Sequence, residues 1–487
     1  MKNREITMIN RKLCSRTRFL SVLGVAAAAA ALLAIPNSAS AADETFVSYG
    51  FLPNPGLVSF DISWVDVNDR LYFLADRSNL SVDIVPIGPN PLGLSPFSLN
   101  RLIPAAGHGF AGTGAASCGT NCAGPNGVIT FVNTINISGK SSGTPELWVG
   151  DGPTADGACA AFGMTTCSTV KVFDAAHGNT PTHTIATGGN FRADELCSGT
   201  FEVSNTTTMP HNFVAIANDA DVPPFVSIID TDTYKIVTKI NFDGNTSVNG
   251  PGTGTSGPNA TNGIEQCLFA NDKFIINIPE VDGLGNDTSP GAVVTIDPRL
   301  GVSNSYGYPV IGNHSIDITS CAGPQGIAAD NNDNVLLGCN APSVGGLGTQ
   351  NSVIVTGTTP SGTAPVSINT VLVNQGGADE VWYNPSDYHF YLALGSQAPT
   401  EILAAVDSYS ATVDSDVTVG VNTNVPLSGG RRAHSVAGDA LTGYLGLPVP
   451  ATSATFTSTL CGSSATQGCI VMFGPNLFDS ADGGSGD

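Results

Sequence analysis

Phe60-Asp61-Ile62-Ser63-Trp64 leads through Asn68-Asp69 to Leu71-Tyr72-Phe73-Leu74-Ala75-Asp76, and then to Ser81-Val82-Asp83-Ile84-Val85. The runs are short, β-branched and aromatic, and each is bounded by Asn, Asp or Gly. That is strand and tight-turn chemistry, with no helical period.

The pattern recurs along the chain. His211-Asn212-Phe213-Val214-Ala215-Ile216-Ala217-Asn218-Asp219 leads to Val226-Ser227-Ile228-Ile229-Asp230. Gly263-Ile264-Glu265-Gln266-Cys267 leads to Phe274-Ile275-Ile276-Asn277, and Pro324-Gln325-Gly326-Ile327 to Asn334-Val335-Leu336-Leu337. Glu380-Val381-Trp382-Tyr383 and Ala433-His434-Ser435-Val436-Ala437 open two further copies. Unit starts near residues 60, 125, 192, 263, 324, 378 and 433 give seven units of about 64 residues. One small antiparallel sheet cannot cover both of its faces, but radial stacking of such sheets does. The spacing therefore predicts an all-β fold, a seven-bladed β-propeller of four-stranded antiparallel blades. Segment 44–52 precedes the first unit and is placed to supply the outer strand of the last blade.

The predicted domain spans 42–476. Residues 477–487 are a Gly/Ser/Asp tail, and 1–41 read as a secretory signal peptide. Lys2, Arg4, Arg11, Lys12, Arg16 and Arg18 form a basic start, an Ala/Leu run follows, and Ala39-Ser40-Ala41 offers a cleavage site. The expected product is exported, periplasmic or extracellular, with no membrane-spanning segment, and monomeric. Losing those six cations and Glu5 leaves 12 basic and 39 acidic groups. Such a surface repels nucleic acid and favours cations. Ten cysteines remain after Cys14, an even number that suits disulfides in an exported chain. Cys118–Cys122, Cys159–Cys167, Cys321–Cys339 and Cys461–Cys469 are the expected pairs, and Cys197 and Cys267 occupy matching positions that would join adjacent blades.

The runs Ala75-Asp76-Arg77-Ser78-Asn79 and Val226-x-Ile228-Ile229-Asp230-Thr231-Asp232-Thr233, with Ala433-His434-Ser435-Val436-Ala437 before a late Gly468-Cys469-Ile470-Val471, resemble YVTN/YncE-type propellers. That group adjoins lactonase-like and gluconolactonase-like propellers. The resemblance covers nearly all of the chain after the signal, and its motifs build blades, so it implies fold rather than activity.

The inner strand of each blade faces the central channel. Aligning the unit starts brings Asp61, Asn126, Glu195, Glu265, Gln325, Glu380 and His434 toward the axis. Arg192-Ala193-Asp194-Glu195, Ala378-Asp379-Glu380 and Arg432-Ala433-His434-Ser435 share a local context after Gly-Gly. Converging carboxylates need a cation, a proton or an arginine to coexist. Glu195, Glu265, Glu380 and His434 are thus candidate ligands for a divalent ion, Ca²⁺, Mg²⁺ or Zn²⁺. Asp61, Asn126, Arg192, Gln325 and Arg432 are candidate ligand-binding residues. The alternative is a water-filled polar channel. Two function classes follow: a protein that binds a cation, small molecule or protein partner at the channel mouth, or a metal-assisted hydrolase or lyase of lactonase type. Ser435 beside His434 is no catalytic dyad, since adjacent strand residues face opposite ways.

Overall fold

In the computed structural model, the described residues are 47–132, 145–155, 157–174, 178–201, 211–244, 255–286, 288–297, 310–316, 320–332, 334–339, 351–356, 367–373, 375–394, 403–409, 411–413, 434–451, 461 and 467–474. They form seven separate sheets, each a meander in chain order. Six have four strands, and the third carries a short extra strand, Thr255–Ser256, paired in parallel to Lys235–Asn241. The inner strands are Ser63–Asp66, Val128–Val132, Leu196–Phe201, Cys267–Ala270, Pro324–Ala329, Ala378–Asn384 and Ala437–Gly438. We number the blades one to seven in that order. The seven-bladed propeller expected from the repeat is the observed fold.

The strands read as unbroken apolar runs because both faces of every blade are covered. Alternation splits each run between two neighbours. Leu71, Phe73 and Ala75 pack against blade two, with Val128, Leu147 and Val149. Tyr72 and Leu74 turn the other way, against Ala437, Ile470 and Met472 of blade seven. The same division recurs in blade three, where Phe213, Ala215 and Ala217 join Phe274 and Ile276 of blade four. Val214 and Ile216 meet Trp148 and Val172 of blade two. The core is thus a set of apolar seams, one at each boundary between blades.

Ring closure follows the expectation for the first segment. Val47–Pro55 pairs antiparallel with Gln467–Gly474, from Val47 opposite Gly474 to Pro55 opposite Gln467. Blade seven is therefore made from both ends of the described chain. A buried polar knot ties this strand to blade one. The Asn54 amide donates to Asp83, the Arg101 guanidinium pairs with Asp83 at 3.1 Å, and Arg101 also donates to Asn54. Burial and the neighbouring Asp76 push the Asp83 carboxyl up to about 8, against Arg101 and Asn54.

All ten cysteines after Cys14 lie in five pairs at disulfide distance: the four expected, and Cys197 with Cys267 across the seam between blades three and four. That last pair encloses the longest loop, with a sequence separation of 70. In the chain-entropy account it restricts the unfolded state more than the local pairs do.

Removing residues 1–55 should bare the edge of Gln467–Gly474 and unlatch Asp83. The truncated protein is expected to self-associate through that edge and to melt lower than the full chain. Light scattering and calorimetry would check this, and a monodisperse monomer with unchanged melting would contradict it.

Candidate functional site

A β-bulge opens the inner strand of blade after blade. Asp61 N–H donates to Ala75 O at 2.9 Å, and Ala75 N–H donates to Ile62 O at 3.1 Å, so two residues face one. Asn126 and Gly127 face Gly150 in the same way, Asp194 and Glu195 face Ala217, and Glu265 and Gln266 face Asn277. Register shifts place Gln325-Gly326 and Asp379-Glu380 in the equivalent position. This corrects the alignment expected from sequence. The residues equivalent to Asp61, Asn126, Glu265 and Gln325 are Asp194 and Asp379, while Glu195 and Glu380 stand one place later. The bulge re-aims consecutive side chains, so counting residues from the unit start loses one step.

The second bulge position carries a large side chain in four blades (Ile62, Glu195, Gln266 and Glu380) and glycine in two (Gly127 and Gly326). A Cβ on Gly127 would stand 2.0 Å from Asp194 O, and one on Gly326 2.5 Å from Val381. Those glycines let inner strands approach each other closely. Glu195 and Glu380 occupy this position in blades three and six, and their buried carboxyl groups act directly on each other. Blades three and six are not neighbours, so this pair meets across the axis.

Around it runs a chain of alternating charge. Asp379 Oδ2 lies 2.6 Å from His434 Nδ1, and His434 Nε2 lies 2.7 Å from Asp61 Oδ1. The other oxygen of Asp61 accepts from Arg77 Nη2. Arg77 Nη2 is 3.9 Å from Asp194 Oδ1, and Arg77 Nε donates to Asn126 Oδ1 at 2.9 Å. Arg192 then bridges Asp194 at 2.8 Å and Asp219 at 2.6 Å. Asn126 holds its place by donating to Ala123 O and Ala193 O.

The protonation states follow from these contacts. Burial acts to raise the Asp61 carboxyl, but Arg77 and His434 outweigh it and hold it well below the usual range. Burial acts to lower His434, and Asp379 with Asp61 overcomes it, so the imidazole is held well above its ordinary value. Both ring nitrogens face carboxylates, which accept, so the ring is a doubly protonated cation. Glu195 is pushed well up by burial first and then by Glu380, Glu265 and Asp61. Glu380 is raised by burial and by Asp379, Asp61 and Asp194, although its bond to Glu195 acts to lower it. Two carboxyl groups in contact in a buried place share a proton. Glu265 is raised by burial, Asp379 and Asp219, against Arg192 and His434.

Seven carboxyl groups (Asp61, Asp194, Glu195, Asp219, Glu265, Asp379 and Glu380) thus gather with three cations, Arg77, Arg192 and His434. The structure brings Asp61, Asn126, Arg192, Glu195, Glu265, Glu380 and His434 together. Gln325 holds the bulge position of blade five, where its carbonyl accepts from Asn277 Nδ2 at 2.9 Å. Arg432 lies outside the described residues. Among the described residues no group of three or more His, Cys, Asp or Glu side chains is arranged to hold a metal ion. Arg77 and Asp219 join the cluster without standing at a unit start. Their signal was their equivalent place, each directly after the second strand of its blade (Ala75-Asp76-Arg77 and Ala217-Asn218-Asp219), in a chain with few cations.

The cluster opens on one side. Glu265 is half-buried and, with Asp219, lines a cavity of about 690 Å³ that Asp221 and Asp243 also line. Val222 and Leu284 stand at this cavity with 93% and 84% of their surface exposed, giving it apolar members among the acids.

No protein-family model and no curated protein matches the chain. Several solved structures share its overall course. They include a structure titled as the mitotic checkpoint complex (12% identity, 94% of this chain and 98% of that one, TM-score 0.46). The WD40 repeats of RRP9 (9% identity, 88% and 99%, TM-score 0.47) and the Dos1 propeller (10% identity, 89% and 96%, TM-score 0.45) are others.

Replacing Arg77 by Met should leave Asp61 and Asp194 buried with only His434 and Arg192 to balance them, and lower stability by about 3–5 kcal/mol. Chemical denaturation measures this. Because His434 is raised, its contribution is full below the unfolded imidazole value of about 6.5 and fades as pH rises through the folded value. The contribution of Asp61, which is lowered, is full above about 4 and is lost as pH falls through its folded value. Asp379→Asn should therefore move the His434 ring titration, followed by NMR, toward lower pH; an unmoved titration would contradict the contact.

Proposed function

We propose that this chain is an exported propeller that binds a cationic ligand at its acidic axial funnel. The carrying observation is the excess of seven carboxyl groups over three cations around one axis. The internal cations do not balance the site, so part of its charge is held off by protons on Glu195, Glu380 and Glu265. An incoming cation takes over that role and displaces protons.

The cavity beside Glu265 suits an organic cation. Its acids attract an ammonium or guanidinium group, and Val222 and Leu284 cover an alkyl portion. A small diamine, or a lysine side chain of a protein partner, carries both features. A divalent ion shares the charge and lacks the alkyl part, which makes it the natural competitor. The five cysteine pairs and the basic-apolar leader support export to an oxidising compartment.

Calorimetry with cadaverine and with calcium chloride, each in two buffers of different ionisation heat at pH 7, tests this reading. Cadaverine is expected to bind with release of protons and more weakly as pH falls. Glu265→Gln should weaken it about tenfold, the loss of one close charge pair worth about 1.4 kcal/mol. Binding of calcium alone would replace the organic cation by a metal ion. No heat and no melting shift with either at millimolar concentration would sink the proposal.

A further inference from the structure

Further along the same inner strands the channel changes character. Gln266, one residue beyond Glu265, spans blades four, five and six. Its Oε1 accepts from Ile327 N–H at 2.6 Å and Val381 N–H at 3.2 Å, and its Nε2 donates to Val381 O at 3.3 Å. Beyond it lies a cup of about 280 Å³ whose lining contains no charged residue. Trp64, Phe269, Trp382 and Tyr383 supply aromatic walls, with Leu268 beside them. Trp64 and Trp382 meet edge to face, with ring centroids 5.3 Å apart.

Three observations say what suits this cup. Its volume is at the small end for a ligand site, large enough for one ring system and too small for a folded segment. Its walls offer aromatic faces and edges, which favour another ring in offset or edge-on contact. The two indoles also differ. Trp64 Nε1 donates to Thr130 Oγ1 at 3.0 Å, whereas Trp382 Nε1 is buried and has no hydrogen-bond partner. A buried indole N–H ordinarily finds an acceptor. The nitrogen lies beside Gly438 of blade seven, where a Cβ would stand 3.5 Å from it and 2.3 Å from Leu445, so no side chain at 438 is there to accept from it.

We propose that this cup binds a small planar aromatic molecule carrying a hydrogen-bond acceptor. The proposal is independent of the acidic funnel, which lies on the other side of Gln266 and takes the opposite chemistry. The ring packs among Trp64, Phe269 and Tyr383, and its acceptor takes the Trp382 N–H.

Acetophenone and ethylbenzene make a matched pair of probes, alike in size and differing in the carbonyl. Saturation-transfer NMR and calorimetry on the full chain should show acetophenone binding about fivefold more tightly than ethylbenzene, with a change in tryptophan emission. Trp382→Phe keeps the ring and removes the donor, so the preference should vanish while weak ethylbenzene binding stays. Ser198→Phe fills the cup from the blade-three strand and should abolish both. Cadaverine should leave acetophenone binding unchanged. Failure of both probes to bind the wild-type chain at millimolar concentration would overturn the proposal. So would equal affinity for the two, or a concentration-dependent dimer that excludes acetophenone and marks the cup as the seat of a second copy.

Discussion

Every blade is apolar on both faces, and that constraint shapes the molecule. A sheet with Leu71, Phe73 and Ala75 on one side and Tyr72 and Leu74 on the other needs a neighbour at each face. A row of such sheets leaves two bare faces at its ends, and closing the row removes both. The ring closes with a strand from the start of the chain, Val47–Pro55, added to the last blade. The closing strand is held by more than its ladder, because Asn54 inserts into the Asp83–Arg101 knot of blade one. Apolar burial supplies the stability of the seams, and the polar knot fixes where the two ends meet.

Closure forces the inner strands together, and the axis inherits the consequence. Side chains that would be solvated at the edge of an open sheet face one another across a few ångströms. Asp61, Asp194, Glu265 and Asp379 come from four blades, and in isolation their charges would prevent closure. The alternating series Asp379, His434, Asp61, Arg77, Asp194, Arg192, Asp219 resolves this by placing a cation between each pair of acids. Glu195 and Glu380 have no cation of their own and share a proton instead. The axis is thus stabilised by ion pairs at its rim and by protonation at its centre.

The blades were legible in sequence because the repeat reports on local pairing: strand length, turn residues and a continuous apolar pattern all recur. The cysteine pairs were legible because four of the five are local. The axial residues were legible as polar exceptions at the unit starts. What could not be counted out was the bulge. Two residues against one advance the register by a step, so Asp194 and Asp379 take the place that Glu195 and Glu380 were expected to fill. Arg77 and Asp219 lie on the next connection of their blades and reach the axis from the side. Arg77 reaches from Asp61 in its own blade to Asp194 of blade three, and Asp219 pairs with Arg192, so the network needs blades one and three in place together, which no repeat spacing encodes. Nor does any pattern reveal that Trp64 and Trp382, 318 positions apart in sequence, share one cup.

The bulge also explains why the two ends of the channel differ. It sits at the start of six inner strands, and at its first position the chain places an acid or an amide in every one of them: Asp61, Asn126, Asp194, Glu265, Gln325 and Asp379. Beyond it the pleat is regular, and only alternate residues face the channel. Along Ser63–Asp66 and Ala378–Asn384 those residues include tryptophans. Gln266 stands at the change. It is polar enough to follow Glu265 in the bulge, and its amide is consumed by the backbones of blades five and six, so it presents no charge to the cup. A charged side chain at 266 would lose the match between one amide and three backbone groups, because a carboxylate cannot donate to Val381 O and an ammonium cannot accept from Ile327 N–H. An uncharged residue with both a donor and an acceptor is the chemistry that separates an acidic funnel from an aromatic cup within a single channel.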